Sequence, residues 1–128
     1  METQLQQQLE TLKSSLLRMA ALVEEQIGKA ITALIDRDVE LCKEVIRGDQ
    51  PINTMELEID ELCIRLLALQ HPIARDLRFV SASMKITIDL ERMGDIAVNI
   101  AKKTKKLVGL PNLKPIIDIP QMADLAQT

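Results

Sequence analysis

Three oxygen-bearing side chains, Glu91, Asp95 and Asn99, follow one another at intervals of four residues. On a helix rising about 1.5 Å per residue they share one face, roughly 6 Å apart. Glu91 has no basic residue among its i±3 and i±4 neighbours, Thr87, Ile88, Gly94 and Asp95, and Asp95 has only Arg92. Charge balance for this row is therefore expected from outside its own helix. Asp49 and Asn53 repeat the spacing upstream. If two helices run antiparallel about Pro72, positions equidistant from that turn stand at one height, so that Asn53 faces Glu91 and Asp49 faces Asp95. Carboxylates so gathered repel one another unless protonated, paired or metallated. Hard oxygen donors without His or Cys favour Mg, Ca, Mn or Fe over structural zinc. The expected cofactor is a divalent or trivalent metal ion, with Fe, Mn, Mg and Zn left open, held by Glu91, Asp95, Asp49, Asn53 and Asn99. The competing reading is a solvated acidic stripe, or one that meets lysines or arginines of a partner.

Other chemistries find little support. His71 is the single histidine, with no second His, Cys pair or carboxylate at ligand spacing, and reads as a turn residue. A ferritin-like di-iron site needs Glu-x-x-His on two helices and is excluded. There is no Ser/His/Asp or Cys/His arrangement and no phosphate-cradling glycine loop, so no catalytic residue is proposed. Arg75, Arg78 and Arg92 are as compatible with structural salt bridges as with phosphate. Cys42 and Cys63 lie too far apart on one helical stripe to bridge and read as reduced core thiols, as in the cytoplasm. Lys102, Lys103, Lys105 and Lys106 form the one basic cluster, read first as a solvated last turn offsetting the helix dipole and second as a docking patch.

These residues must be positioned by helices. The chain has 128 residues, one Phe, no Trp or Tyr, and a net charge of −3 from 19 acids and 16 bases. That composition implies an aliphatic all-α bundle and offers no broad basic surface for nucleic acid. No apolar run approaches the roughly 20 residues that span a bilayer, and no leader is evident. The chain is expected to be cytoplasmic and to meet a membrane only through partners. Apolar residues at seven-residue spacings, among them Leu9, Leu12, Leu16, Met19, Val23, Ala30 and Ala33, predict a helix from 3 to about 36. Asp36-Arg37-Asp38 ends it, and Asp38 is placed to cap the next. From Val39 to Gln70 two registers run in phase, Val45, Ile52, Ile59, Leu66 and Leu41, Met55, Leu62, Leu69. Gly48, Asp49 and Pro51 could stop the helix, but the unbroken heptad phase across them argues instead for one helix with a kink or two nearly collinear pieces.

After the Gln70-His71-Pro72-Ile73 turn, a third helix is predicted from 75 to about 108, apolar on two opposite sides. One side carries Phe79, Ile86, Leu90, Met93, Ala97, Ile100 and Leu107, the other Leu77, Val80, Met84 and Ile88, continuing through Glu91 and Asp95 to Val98. Three helices cannot cover both sides, so something further is expected to pack there. Gly94, mid-helix, suggests close approach by a neighbouring backbone or ligand. The expected organisation is a three-helix bundle over 1–108, a proline-bearing linker over 109–120, and over 121–128 the start of a further helix, either a truncated second repeat or a docking tail.

The run Leu67-Ala68-Leu69-Gln70-His71-Pro72-Ile73-Ala74-Arg75-Asp76-Leu77-Arg78, followed by DLERMGDIAVNIAKK, resembles the PhoU family of phosphate-transport regulators. The resemblance extends upstream to Asp49-Gln50-Pro51-Ile52-Asn53 and the Glu-rich run from Glu56 to Glu61, covering about residues 10–108. It implies two tandem three-helix repeats in a full-length chain, of which this is the first, with E/D-x-x-x-D motifs regarded as metal-binding. Glu91 and Asp95 match that motif; Asp49 matches its counterpart on the second helix, where Asn53 replaces an acid and lowers the charge. The resemblance implies a non-enzymatic negative regulator of the phosphate regulon. It would hold a phosphate ABC importer, through its ATPase subunit, together with a phosphate sensor histidine kinase. A homodimer or second repeat would cover the open face. The rivals are a metal-dependent carboxylate enzyme and an accessory subunit or scaffold of another phosphate permease.

Overall fold

The computed structural model describes residues 3–110, and its regular structure is α1 (Gln4–Asp36), α2 (Val39–Arg47), α3 (Asp49–Leu69) and α4 (Ala74–Val108). Among the described residues there is no strand. The helical, aliphatic reading of the composition therefore holds, and the helix limits fall within a residue or so of those expected. The proposed linker and final helix lie, from residue 111 on, outside the described residues.

Each helix end has a local cause. Arg37 adopts φ 54°, and the Asp38 amide donates to the Ala33 carbonyl at 3.0 Å, a left-handed closure that ends α1. Asp38 then caps α2 as expected: its Oδ1 accepts from the Leu41 amide at 3.1 Å. Gly48 alone separates α2 from α3, with φ −69° and ψ −9°, still in the right-handed region. The break expected near Gly48 is thus one residue long. Pro51 falls in the first turn of α3, where a missing N–H breaks no intrahelical bond, and Asp49 meets the positive end of the helix. His71, at φ 45°, is the turn residue anticipated and sets the exit from α3.

Two compact units are present, each built from three helical segments. The first combines α1 up to Val23 with Gln50–Met93. Its buried residues are Leu12, Met19 and Val23 of α1, Ile52, Ile59, Cys63 and Leu66 of α3, and Val80, Ser83 and Thr87 of α4. The second combines Glu24–Asp49 with α4 from Gly94 onward. Ala30, Ala33, Cys42, Val45, Ala97 and Ala101 form its core, with Ile27, Leu41, Ile46 and Ile100 packed against them. Val45, Ile52, Ile59 and Leu66, one of the two predicted registers, are all fully buried. Burying side chains of this kind contributes about 1.5–3 kcal/mol each.

The core stripe of α4 differs from expectation. It takes only Val80 and Val98 from one apolar side and Ala97 from the other, and is otherwise a row of small residues: Ser83, Thr87, Gly94, Ala101 and Thr104. Phe79, Ile86 and Met93 on one flank and Leu77 and Ile88 on the other are exposed. Hydroxyls occupy the core without penalty because each donates to a carbonyl one turn back: Ser83 to Phe79 at 2.7 Å, Thr87 to Ser83 at 2.8 Å, Thr104 to Ile100 at 2.7 Å. Small side chains allow close helix approach, and the bulky residues are left at the margins.

Candidate functional site

The carboxylate row lies on α4, as its spacing required. Glu91 is half-buried, whereas Asp95 and Asn99 are exposed; on α3, Asp49 is half-buried and Asn53 exposed. Asn53 and Glu91 belong to the first unit, and Asp49, Asp95 and Asn99 to the second. Asp49, Asn53, Glu56 and Glu91 each already interact with another group. Among the described residues, no group of three or more His, Cys, Asp or Glu side chains is gathered as a metal ion would need. A hard cation takes about six oxygen ligands. Glu91 and Asp95 have the donor chemistry for such an ion but supply only part of a coordination sphere.

The exposed apolar residues are more extensive than the acidic ones. Around the Pro72 turn, Leu69 is 67% exposed and Ile73 66%, with Leu77 and the exposed Arg75 and Arg78 beside them in sequence. Along α4, Phe79, Ile86 and Met93 recur every seven residues, all exposed. The uncovered flanks of this helix agree with the expectation that three helices leave part of it open. A seven-residue recurrence of large apolar side chains is the pattern by which one helix packs against another.

Besides Ser83, Thr87 and Thr104, a fourth buried polar residue escaped the sequence reading. Gln26 is 5% exposed, and its Nε2 donates to the Val45 carbonyl at 2.6 Å. That carbonyl belongs to the last turn of α2, where free acceptors require partners. The Gln26 side chain also fills the space that a Cβ on Gly48 would take, so Gly48 is needed for close approach. The signal was present: Gln26 continues the register Leu12, Met19, Gln26, Ala33, a polar residue at a core position. Gly94, for which close approach was expected, is buried.

Both cysteines are free and buried, in agreement with their reading as reduced core thiols. Burial, followed by the nearby Asp60 charge, pushes the Cys63 thiol up to about 11. The Cys42 thiol is raised by burial and Asp38, against a smaller lowering by Lys105. Such thiols are poor nucleophiles and poor metal ligands near neutral pH. No described helix is long and apolar enough to cross a membrane.

The PhoU domain model matches residues 16–104. A phosphate-specific transport system accessory protein PhoU homolog of Aquifex aeolicus is 45% identical over 120 residues, 94% of this chain and 54% of the relative. The corresponding PhoU protein of Escherichia coli is 42% identical over 95 residues, 74% of this chain and 39% of the relative. The crystal structure of PhoU from Pseudomonas aeruginosa aligns with a TM-score of 0.87 at 39% identity, covering 97% of this chain and 60% of that one. A phosphate transport system regulatory protein PhoU from Streptococcus pneumoniae aligns at 0.83 and 38% identity, covering 96% and 57%. The chain spans about half the length of these relatives. With α2, α3, most of α1 and α4, the Pro72 turn and the Asp-Leu-Glu-Arg run inside the matched region, the chain belongs to the PhoU domain family.

Proposed function

We propose that the protein is a non-enzymatic regulator of phosphate uptake and phosphate-starvation signalling, acting by contact with other proteins. The observation that carries this reading is the family match over residues 16–104, whose relatives are named as phosphate-specific transport accessory proteins. The exposed apolar residues support it: Leu69, Ile73 and Leu77 at the turn, and Phe79, Ile86 and Met93 on α4, are what a contact module offers and an isolated bundle does not need. The partners proposed are a phosphate ABC importer, met at its ATPase subunit, and a phosphate sensor histidine kinase. A second copy or second repeat covers the α4 flank, and the chain works in the cytoplasm, reaching the membrane through the importer.

Co-purification of the tagged chain from phosphate-replete cells of its own host tests this. The importer ATPase and the kinase are expected with the native chain and are lost when Ile73 and Leu77 become Asp. Absence of both from the native preparation contradicts the reading.

Metal binding belongs to the same proposal. Glu91 and Asp95 of α4 would hold a hard divalent or trivalent cation, with Asn99 on the same helix as a further oxygen donor. A bound cation would neutralise the acidic row. Elemental analysis and titration of the chain with iron or manganese are expected to show binding that Glu91→Gln weakens by about tenfold. No bound metal and no heat of binding contradict it.

A further inference from the structure

The C-terminal end of α4 carries a feature that the acidic row and the apolar flanks leave unused. In the second unit a groove of about 420 Å³ is lined by Ile46, Lys102, Lys105 and Lys106. Lys102 and Lys106 are exposed, Lys105 and Ile46 half-buried. The ion pairs found among the described residues, Lys29–Glu25, Lys43–Glu40 and Arg65–Glu61, involve none of the three groove lysines. Two of them, Lys105 and Lys106, sit in the last helical turn, where their charge offsets the dipole. The dipole does not account for a concave wall with an isoleucine in it.

We propose that this groove receives an acidic segment of a partner protein, with an apolar side chain seated on Ile46 and carboxylates over Lys102, Lys105 and Lys106. Three like charges around an apolar surface match a segment in which acids flank a hydrophobic residue. A compact inorganic anion fits less well, because the free carbonyls of a helix C-terminus repel it and anion sites form at the opposite end. Nucleic acid fits poorly as well: the chain as a whole carries a charge of −3. The inference goes beyond the phosphate reading and stands on the groove alone, so the test below uses the chain in isolation and succeeds or fails whatever the chain regulates.

Fluorescence anisotropy of a labelled synthetic peptide of repeated Glu-Glu-Leu-Leu, added to the full chain, reads binding directly. Saturable binding is expected, weakened about tenfold by Lys102→Glu with Lys106→Glu and weakened by added salt. Lys13→Glu with Lys85→Glu makes the same change in net charge elsewhere and is expected to leave affinity within about twofold. Melting curves of both variants check that each is folded. In the native chain the peptide is expected to shift the Ile46 methyl resonances. No binding, equal loss in both double variants, or unshifted Ile46 methyls overturns the proposal. So does occupation of the groove by inorganic phosphate or phosphatidylglycerol vesicles but not by the peptide.

Discussion

At the scale of single residues, the helix ends are the most legible feature and the easiest to perturb. Asp38 caps α2 through the Leu41 amide, so Asp38→Ala is expected to cost about 1 kcal/mol in chemical denaturation. Gly48 has no room for a side chain against Gln26; Gly48→Ala is expected to destabilise by about 1–3 kcal/mol, and pairing it with Gln26→Ala to recover part of the loss. Recovery in the double variant distinguishes crowding from a lost cap. Cys63 gives a pH dependence with a definite sign. Its thiol lies at 9.0 in its unperturbed state and is pushed up to about 11 in the fold. Below pH 9 both states keep the proton and stability is unaffected. From there to about 11 the unfolded chain binds fewer protons than the native one, so stability falls as pH rises, by on the order of 2 kcal/mol in all. Cys63→Ala is expected to reduce that slope, the raised Cys42 thiol keeping a part of it, and an unchanged slope would count against a shifted Cys63 thiol.

At the scale of elements, seven-residue apolar spacing predicted α1, α3 and α4 well because burial and period coincide there, as at Val45, Ile52, Ile59 and Leu66. It failed on α4's core side. Hydropathy favours Phe79 and Ile86 over Ser83 and Thr87, but close packing selects small side chains, and the hydroxyls satisfy themselves on their own helix. Spacing along one helix also placed Glu91 and Asp95 on α4 correctly. It could not establish what completes an ion sphere, because convergence of ligands depends on how separate segments meet, which no single period encodes. The small-residue stripe leads to a sharp contrast. Ala97→Leu is expected to cost about 1–3 kcal/mol by overpacking, whereas Phe79→Ser, on the exposed flank, is expected to change monomer stability by less than about 0.5 kcal/mol. Thermal and chemical denaturation of the two variants side by side measures the difference.

At the scale of the whole molecule, the exposed apolar flank of α4, the exposed side chains at the Pro72 turn and membership of the PhoU domain family are what the proposed contact role rests on. On α4 small side chains face the core and large apolar ones stay exposed at its margins. The chain's central role is tested most directly by deleting the gene in its own host and reading a phosphate-starvation reporter in cells grown with abundant phosphate. Regulation by this chain predicts that the reporter becomes active despite plentiful phosphate and is silenced again when the native chain is restored. A reporter that stays silent in plentiful phosphate and responds normally to starvation in the deletion strain would contradict it.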